Sequence, residues 1–158
     1  RVGHASRLPP FGLFGNVSLR SVVAASADGG KTWGPAVDIM ADIEAFFRRS
    51  LEIAAKAGMA RENIVLDPGI GFGKTPEQSV EAITRLAELK HFGLPILVGL
   101  SRKRFINSTS PSKPDQRLGG SIAANLAAVQ AGADIVRVHD VAETVQALRV
   151  MNAIEKAR

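Results

Sequence analysis

The chain has 158 residues, 46% of them hydrophobic and none of them cysteine, and carries a net charge of +5. That length allows one domain with a core, no apolar run approaches the roughly 18 residues of a membrane span, and disulfides and thiolate metal sites are excluded. The charge is spread along the chain, and one Trp with no Tyr leaves few stacking platforms for nucleic acid. Neither nucleic acid nor a membrane is expected as a partner. An acidic small molecule such as a pyrophosphate accounts for local basic residues at least as well. The cysteine-free composition is compatible with the cytoplasm, which is the expected compartment.

Residues 1–36 are irregular, punctuated by Pro9-Pro10, Gly29-Gly30 and Gly34-Pro35, and only Val22-Val23-Ala24-Ala25 suggests a strand. No signal peptide is expected at the start, where Arg1 stands. From residue 37 helix and strand alternate. Ile39, Ile43, Phe46, Phe47, Leu51 and Ala54 recur at helical spacing, and Gly58 is a suitable residue to end that helix. Ile64-Val65-Leu66 reads as a strand. Thr75, Pro76 and Gln78 then read as N-cap, N1 and N3 of a helix with a capping box. Val80, Ile83, Leu86 and Ala87 should form its buried face, with Gly93 just beyond its end.

Pro95-Ile96-Leu97-Val98 is the second strand of this part. A helix marked by Ile122, Leu126 and Val129 follows, stopped by Gly132. Ile135-Val136-Arg137-Val138 is the third strand. Asp140 to Glu143 offers another capping box, and Val141, Val145 and Leu148 should line the last helix. Such alternation implies βαβ units and a parallel α/β sheet, and the near-continuous apolar strands imply cover on both faces. Three such units with one leading helix look like part of a TIM (β/α)8 barrel, which usually needs about 250 residues.

Leu66-Asp67-Pro68-Gly69-Ile70-Gly71-Phe72-Gly73-Lys74-Thr75 is the most informative segment. A strand ends on a carboxylate, where α/β folds present reactive groups. Three glycines then let the loop lie close to a flat ligand. A phosphate-cradling P-loop is excluded because residue 68 is Pro, and a dinucleotide fingerprint is excluded because residue 74 is Lys. Asp67 can equally cap the following turn. Arg137 and His139 alternate with valines, so both should share one face at the end of a buried strand. That placement is costly without a ligand or partner and suits an anion clamp. A salt bridge from Arg137 to an acid such as Asp140 is the plainer alternative.

With Val98-Gly99-Leu100-Ser101-Arg102-Lys103 and Ile135-Val136-Arg137-Val138-His139-Asp140, the glycine segment resembles the dihydropteroate synthases, the pterin-binding enzymes of folate biosynthesis. The resemblance runs from about Val37 to the C-terminus and implies the last three βα units of the barrel, so that residues 37–158 form its C-terminal part and residues 1–36 stay unmatched. It implies a transferase that joins p-aminobenzoate to 6-hydroxymethyl-7,8-dihydropterin pyrophosphate, giving 7,8-dihydropteroate and pyrophosphate.

By the same resemblance Asp67 holds two pterin N–H groups, as a carboxylate holds a guanidinium, and Lys103 donates to the pterin carbonyl and ring nitrogen. Arg137 and His139 clamp the pyrophosphate. Phe72 and Ser101 lie at the p-aminobenzoate pocket, although Phe72 could also be packing within its own loop. Lys103, Arg137 and His139 would then be the catalytic side chains. Arg102 should face solvent or a phosphate. Mg²⁺ is implied on the pyrophosphate. Its family ligand, an Asn near the start of the barrel, has no counterpart in this chain, and no metal-ligating residue is assigned here. Activity of the chain alone is therefore in doubt. A non-catalytic barrel piece that binds pterin or pyrophosphate is the alternative. A pterin-dependent methyltransferase fits less well, since its chemistry needs no pyrophosphate clamp. Open sheet edges leave room for a homodimer. His91 should interact with the dipole at a helix C-terminus, Asn125 reads as a polar spot on a helix, Lys74 could contact the loop backbone or a phosphate, and Trp33 receives no role.

Overall fold

A computed structural model describes residues 22–24 and 38–158. Four short strands carry the framework: β1 (Val22–Ala24), β2 (Val65–Asp67), β3 (Leu97–Val98) and β4 (Ile135–Val136). β1 pairs parallel with β2, Val22 opposite Val65, and β3 pairs parallel with β4, Leu97 opposite Ile135. A parallel bridge between Leu66 and Ile96 joins the two pairs in the order β1-β2-β3-β4. The suggested strand at Val22 therefore forms, one strand ahead of the three expected downstream. The helices are α1 (Ile39–Lys56), α2 (Pro76–Thr84), α3 (Arg104–Thr109), α4 (Leu118–Gln130) and α5 (Val141–Lys156). The architecture is α/β. Among the described residues no helix is long and apolar enough to cross a membrane.

α1 ends as its sequence implies. Gly58 takes φ +72° and turns the chain, while Met59 N–H bonds Ala54 O at 3.0 Å. Its face of Ile39, Met40, Ile43 and Phe47 is buried, and Phe47 meets Phe92 edge-on at 5.7 Å between ring centroids. The start of α2 is also as expected. Thr75 Oγ1 accepts from Gln78 N–H at 3.2 Å and the Gln78 side chain accepts from Thr75 N–H at 2.9 Å.

The buried stripe of α2 differs. It is Ser79, Ala82 and Ile83, continued by Leu86, while Val80 is 45% exposed and Ala87 is exposed. Positions 79, 82, 83 and 86 follow the i, i+3, i+4, i+7 spacing of one helical face. Ser79 tolerates burial because its hydroxyl donates to Thr75 O at 2.9 Å. The chain tightens into a 3₁₀ turn over Leu86–Phe92 and ends at Gly93 with φ +64°. Arg85, between the two helical pieces, bonds Asp38, Glu81 and Glu88.

The last strand is shorter than its apolar run. β4 stops at Val136 because β3, its partner, stops at Val98, although Arg137 N–H still bonds Val98 O at 2.8 Å. Arg137 and His139 thus lie just past the strand and are exposed, so the cost of a buried charged face does not arise. The second capping box also fails. Asp140 is the N-cap of α5 but its side chain caps nothing, because its carboxylate is committed to Arg102. Val141 is left exposed.

α4 faces the core with small or polar residues, Ser121, Asn125 and Ala128. Ile122, Leu126 and Val129 are only partly buried. The close approach depends on Gly120, where a Cβ would lie 2.5 Å from Ile106 Cγ2, a buried side chain. Gly120→Ala should therefore overpack this contact and cost about 1–3 kcal/mol. Gly119, with nothing within 4 Å of its Cβ position, is the control. Urea unfolding of both alanine variants checks this, and equal midpoints would refute it.

Candidate functional site

The loops after β2, β3 and β4 leave the sheet at the same end, because the strands are parallel. Asp67 is the last residue of β2 and is half-buried. Its Oδ1 accepts from Gly69 N–H at 2.8 Å. The turn-capping role is therefore present, but a carboxylate has about four acceptor positions, and among the described residues one is used by this bond. Gly69, Gly71 and Gly73 all have positive φ, at +63°, +81° and +60°. The loop thus takes a path that side-chain-bearing residues rarely follow.

Lys103 reaches across to this loop from the end of β3. Its Nζ donates to Ile70 O and sits 4.4 Å from the centroid of the Phe72 ring. The stem passes directly over Gly71, where a Cβ would come within 2.9 Å of Lys103 Cδ. Phe72 itself is 59% exposed, so its ring is not a packing element of the loop. Burial pushes the Lys103 ammonium below its ordinary range, opposed by the attraction of Asp67 and assisted by the repulsion of Arg137. Asp67 and Arg137 are therefore each within electrostatic reach of Lys103.

Arg137 lays its guanidinium over Gly99, with Nη2 2.9 Å from the position a Cβ would occupy there. His139 Nδ1 lies 3.0 Å from Ser101 Oγ, and its backbone N–H approaches the same oxygen at 3.4 Å. Ser101 is 7% exposed, so its hydroxyl serves as a bridge between the β3 and β4 loops. The proposed site residues after the three strands thus meet at one end of the sheet. The expected alternative pair does not form: Asp140 binds Arg102 at 2.6 Å, not Arg137. Arg102 accordingly pairs with a carboxylate while its side chain stays partly exposed. Hydrogen bonding to Arg102 holds the Asp140 carboxyl below the usual range, and the same bond raises Arg102.

Sequence reading left Lys74 between a loop-backbone contact and a phosphate, and passed over Arg117, Ser121 and the partner of Asp140. Lys74 Nζ donates to Gly69 O at 3.1 Å. Burial brings its pKa down to about 8, with attraction from Asp67 and Asp42 opposing and repulsion from Lys103 assisting. The signal was its place inside the glycine segment. Since the folded value lies below the ordinary 10.5, the unfolded chain binds more protons at Lys74 between pH 8 and 10.5. Stability contributed by this group should therefore rise with pH through that window, the burial penalty being complete below pH 8 and absent above 10.5. Lys74→Met should remove this rise, which urea unfolding at stepped pH would detect. An unchanged pH dependence would refute it.

Among the described residues no group of three His, Asp or Glu side chains could hold a metal ion.

A family model described as pterin binding enzyme matches residues 16–139. The match starts ahead of residue 37 and takes in β1. The dihydropteroate synthase of Escherichia coli K12 is 44% identical over 121 residues, covering 77% of this chain and 43% of that protein. The structure of the Clostridium difficile dihydropteroate synthase in the presence of pteroic acid aligns with TM-score 0.76 and 46% identity, over 84% of this chain and 49% of that one. That of the Xanthomonas albilineans enzyme with 4-aminobenzoic acid aligns with TM-score 0.79 and 38% identity, over 85% and 48%. The chain therefore spans about half the length of the relatives it matches. The glycine segment and the two strand-end motifs pointed to the same relatives, and with most of its length matched the chain belongs to the pterin-binding enzyme family.

Proposed function

We propose that the chain carries the pterin- and pyrophosphate-binding side of dihydropteroate synthase chemistry. In this reading β2, β3 and β4 are the last three strands of a (β/α)8 barrel, with β1 as the strand before them. The observation that carries it is the reach of Lys103, from the loop after β3, across the glycine loop that Asp67 opens after β2, where it lies over Gly71 and Phe72.

The reaction breaks the bond between the pterin's exocyclic CH₂ and the pyrophosphate oxygen, and the departing pyrophosphate takes the electron pair. The p-aminobenzoate nitrogen forms the new bond and loses a proton. Asp67 accepts from adjacent pterin N–H groups and Lys103 donates to the carbonyl edge, which fixes the flat ring while positive charge develops beside it. Arg137 and His139 neutralise the leaving anion, an electrostatic role suited to their exposed position after the strand. Phe72 and Ser101 face the second substrate, and the Ser101 hydroxyl also steadies His139. Mg²⁺ would arrive with the pyrophosphate. The cytoplasm and a homodimer belong to the same reading.

A second reading follows from the coverage. A chain with 43% of the length of its Escherichia coli relative could bind pterin or pyrophosphate without turnover. Calorimetry with 6-hydroxymethylpterin and with pyrophosphate, beside an assay of dihydropteroate formation with Mg²⁺, separates the two. Binding with turnover supports the synthase, and binding alone supports the second reading. Failure to bind either ligand would overturn both.

A further inference from the structure

Arg102 is the one described non-glycine residue with positive φ, at 60°. L residues with long side chains rarely adopt this conformation, and it persists only where the surroundings over-determine it. Here they do so from three directions. Arg102 N–H donates to Ser121 Oγ at 2.9 Å, and Arg117 Nη1 donates to Arg102 O at 2.9 Å. Both partners are themselves anchored, Ser121 Oγ donating to Arg117 O at 2.6 Å and Arg117 Nη2 to Ser112 O at 2.7 Å. The Arg102 guanidinium then spans to Asp140, with Nη2–Oδ1 at 2.6 Å and Nε–Oδ2 at 3.3 Å.

The neighbours give this arrangement its consequence. Ser101 turns inward to meet His139, whereas Lys103 crosses to the glycine loop. The residue between them holds the left-handed turn that separates the two directions. Asp140 directly follows His139. One ion pair therefore connects the residue before Lys103 to the residue after His139, across two loops that also meet through the Ser101–His139 bonds and through Arg137 over Gly99.

We infer that Arg102 and Asp140 are positioning residues, a clasp that holds the β3 and β4 loops together so that Lys103 and His139 address one ligand. Neither touches the ligand itself. This rests on the proposed ligand-binding roles of Lys103 and His139.

Glycine at 102 separates backbone from side chain, because it accepts φ +60° without strain and cannot reach Asp140. Arg102→Gly, Asp140→Asn and the double variant are made in the full chain. Amide exchange is followed at residues 100–103 and 137–140, and pyrophosphate affinity is measured by calorimetry. Each single variant should speed exchange in both loops by about tenfold while α1 stays unchanged. Pyrophosphate affinity should fall by about tenfold, and the double variant should be no worse than either single one, as for two partners in one interaction. Arg102→Lys should recover part of the affinity, since one donor remains.

Loosening confined to the substituted loop, or additive losses in the double variant, would overturn the clasp. Unchanged pyrophosphate affinity despite loosened loops would overturn its positioning role. If the parent chain binds no pyrophosphate, the proposed function fails, and exchange in the two loops still decides whether the clasp exists.

Discussion

Asp67→Asn is expected to weaken binding of 6-hydroxymethylpterin while leaving the loop that carries it in place. The amide oxygen can still accept from Gly69 N–H, the bond that Oδ1 makes now at 2.8 Å. Local folding should therefore survive. What changes is the edge offered to the ligand. A carboxylate accepts two parallel N–H bonds, and the amide replaces one acceptor with a donor that meets a ligand N–H head-on. Loss of a charge-assisted bond with an unpaired donor left behind costs about 1.5–3 kcal/mol, roughly one to two powers of ten in Kd. The attraction that Asp67 exerts on Lys103 and Lys74 disappears at the same time. Calorimetry on parent and variant reads the effect. Unchanged affinity would leave Asp67 as a turn residue and nothing more.

Gly71→Val is the second large effect. Two costs act at one position. At φ +81° a β-branched residue is held in a left-handed conformation that it strongly disfavours. Its Cβ would also fall 2.9 Å from Lys103 Cδ. The backbone strain alone is about 1–3 kcal/mol. The Lys103 stem is flexible enough to yield, but only by leaving the Ile70 carbonyl and the face of Phe72. The variant should thus lose stability and pterin affinity together. Gly58→Val separates the two terms, since Gly58 also has positive φ, at +72°, but has open space around its Cβ position. It should lose stability and keep binding. If Gly71→Val bound pterin as well as Gly58→Val does, the contact between Gly71 and Lys103 would have no role in recognition.

Features governed by near neighbours in the chain were legible before any coordinates. The Thr75–Pro76–Gln78 start of α2 is one, because a capping box is closed by residues three apart. The end of α1 at Gly58 is another, because a helix terminus needs a residue that accepts positive φ. The glycine segment after a strand ending in Asp67 was a third, and with the motifs after the next two strands it carried the resemblance to the family. The strands were legible as apolar runs but not in length, since a strand lasts only as long as its partner, and β3 ends at Val98.

The sequence by itself thus determined the alternation of helix and strand, the start of α2 and the end of α1, and the motif residues placed after each strand. The tertiary structure alone decided which charges far apart in sequence pair. Arg102 and Asp140 lie 38 positions apart, and Arg137 stands nearer to Asp140 in sequence, yet its guanidinium lies over Gly99. That choice depends on where two loops arrive after the strands pair and on a left-handed turn at an arginine. Local preference opposes such a turn, and it is held by Ser121 and Arg117 from a different helix and its approach. An ion pair needs its partners within a few ångströms in a given orientation. No one-dimensional spacing encodes that distance when the intervening chain forms a helix, a strand and the turns between them.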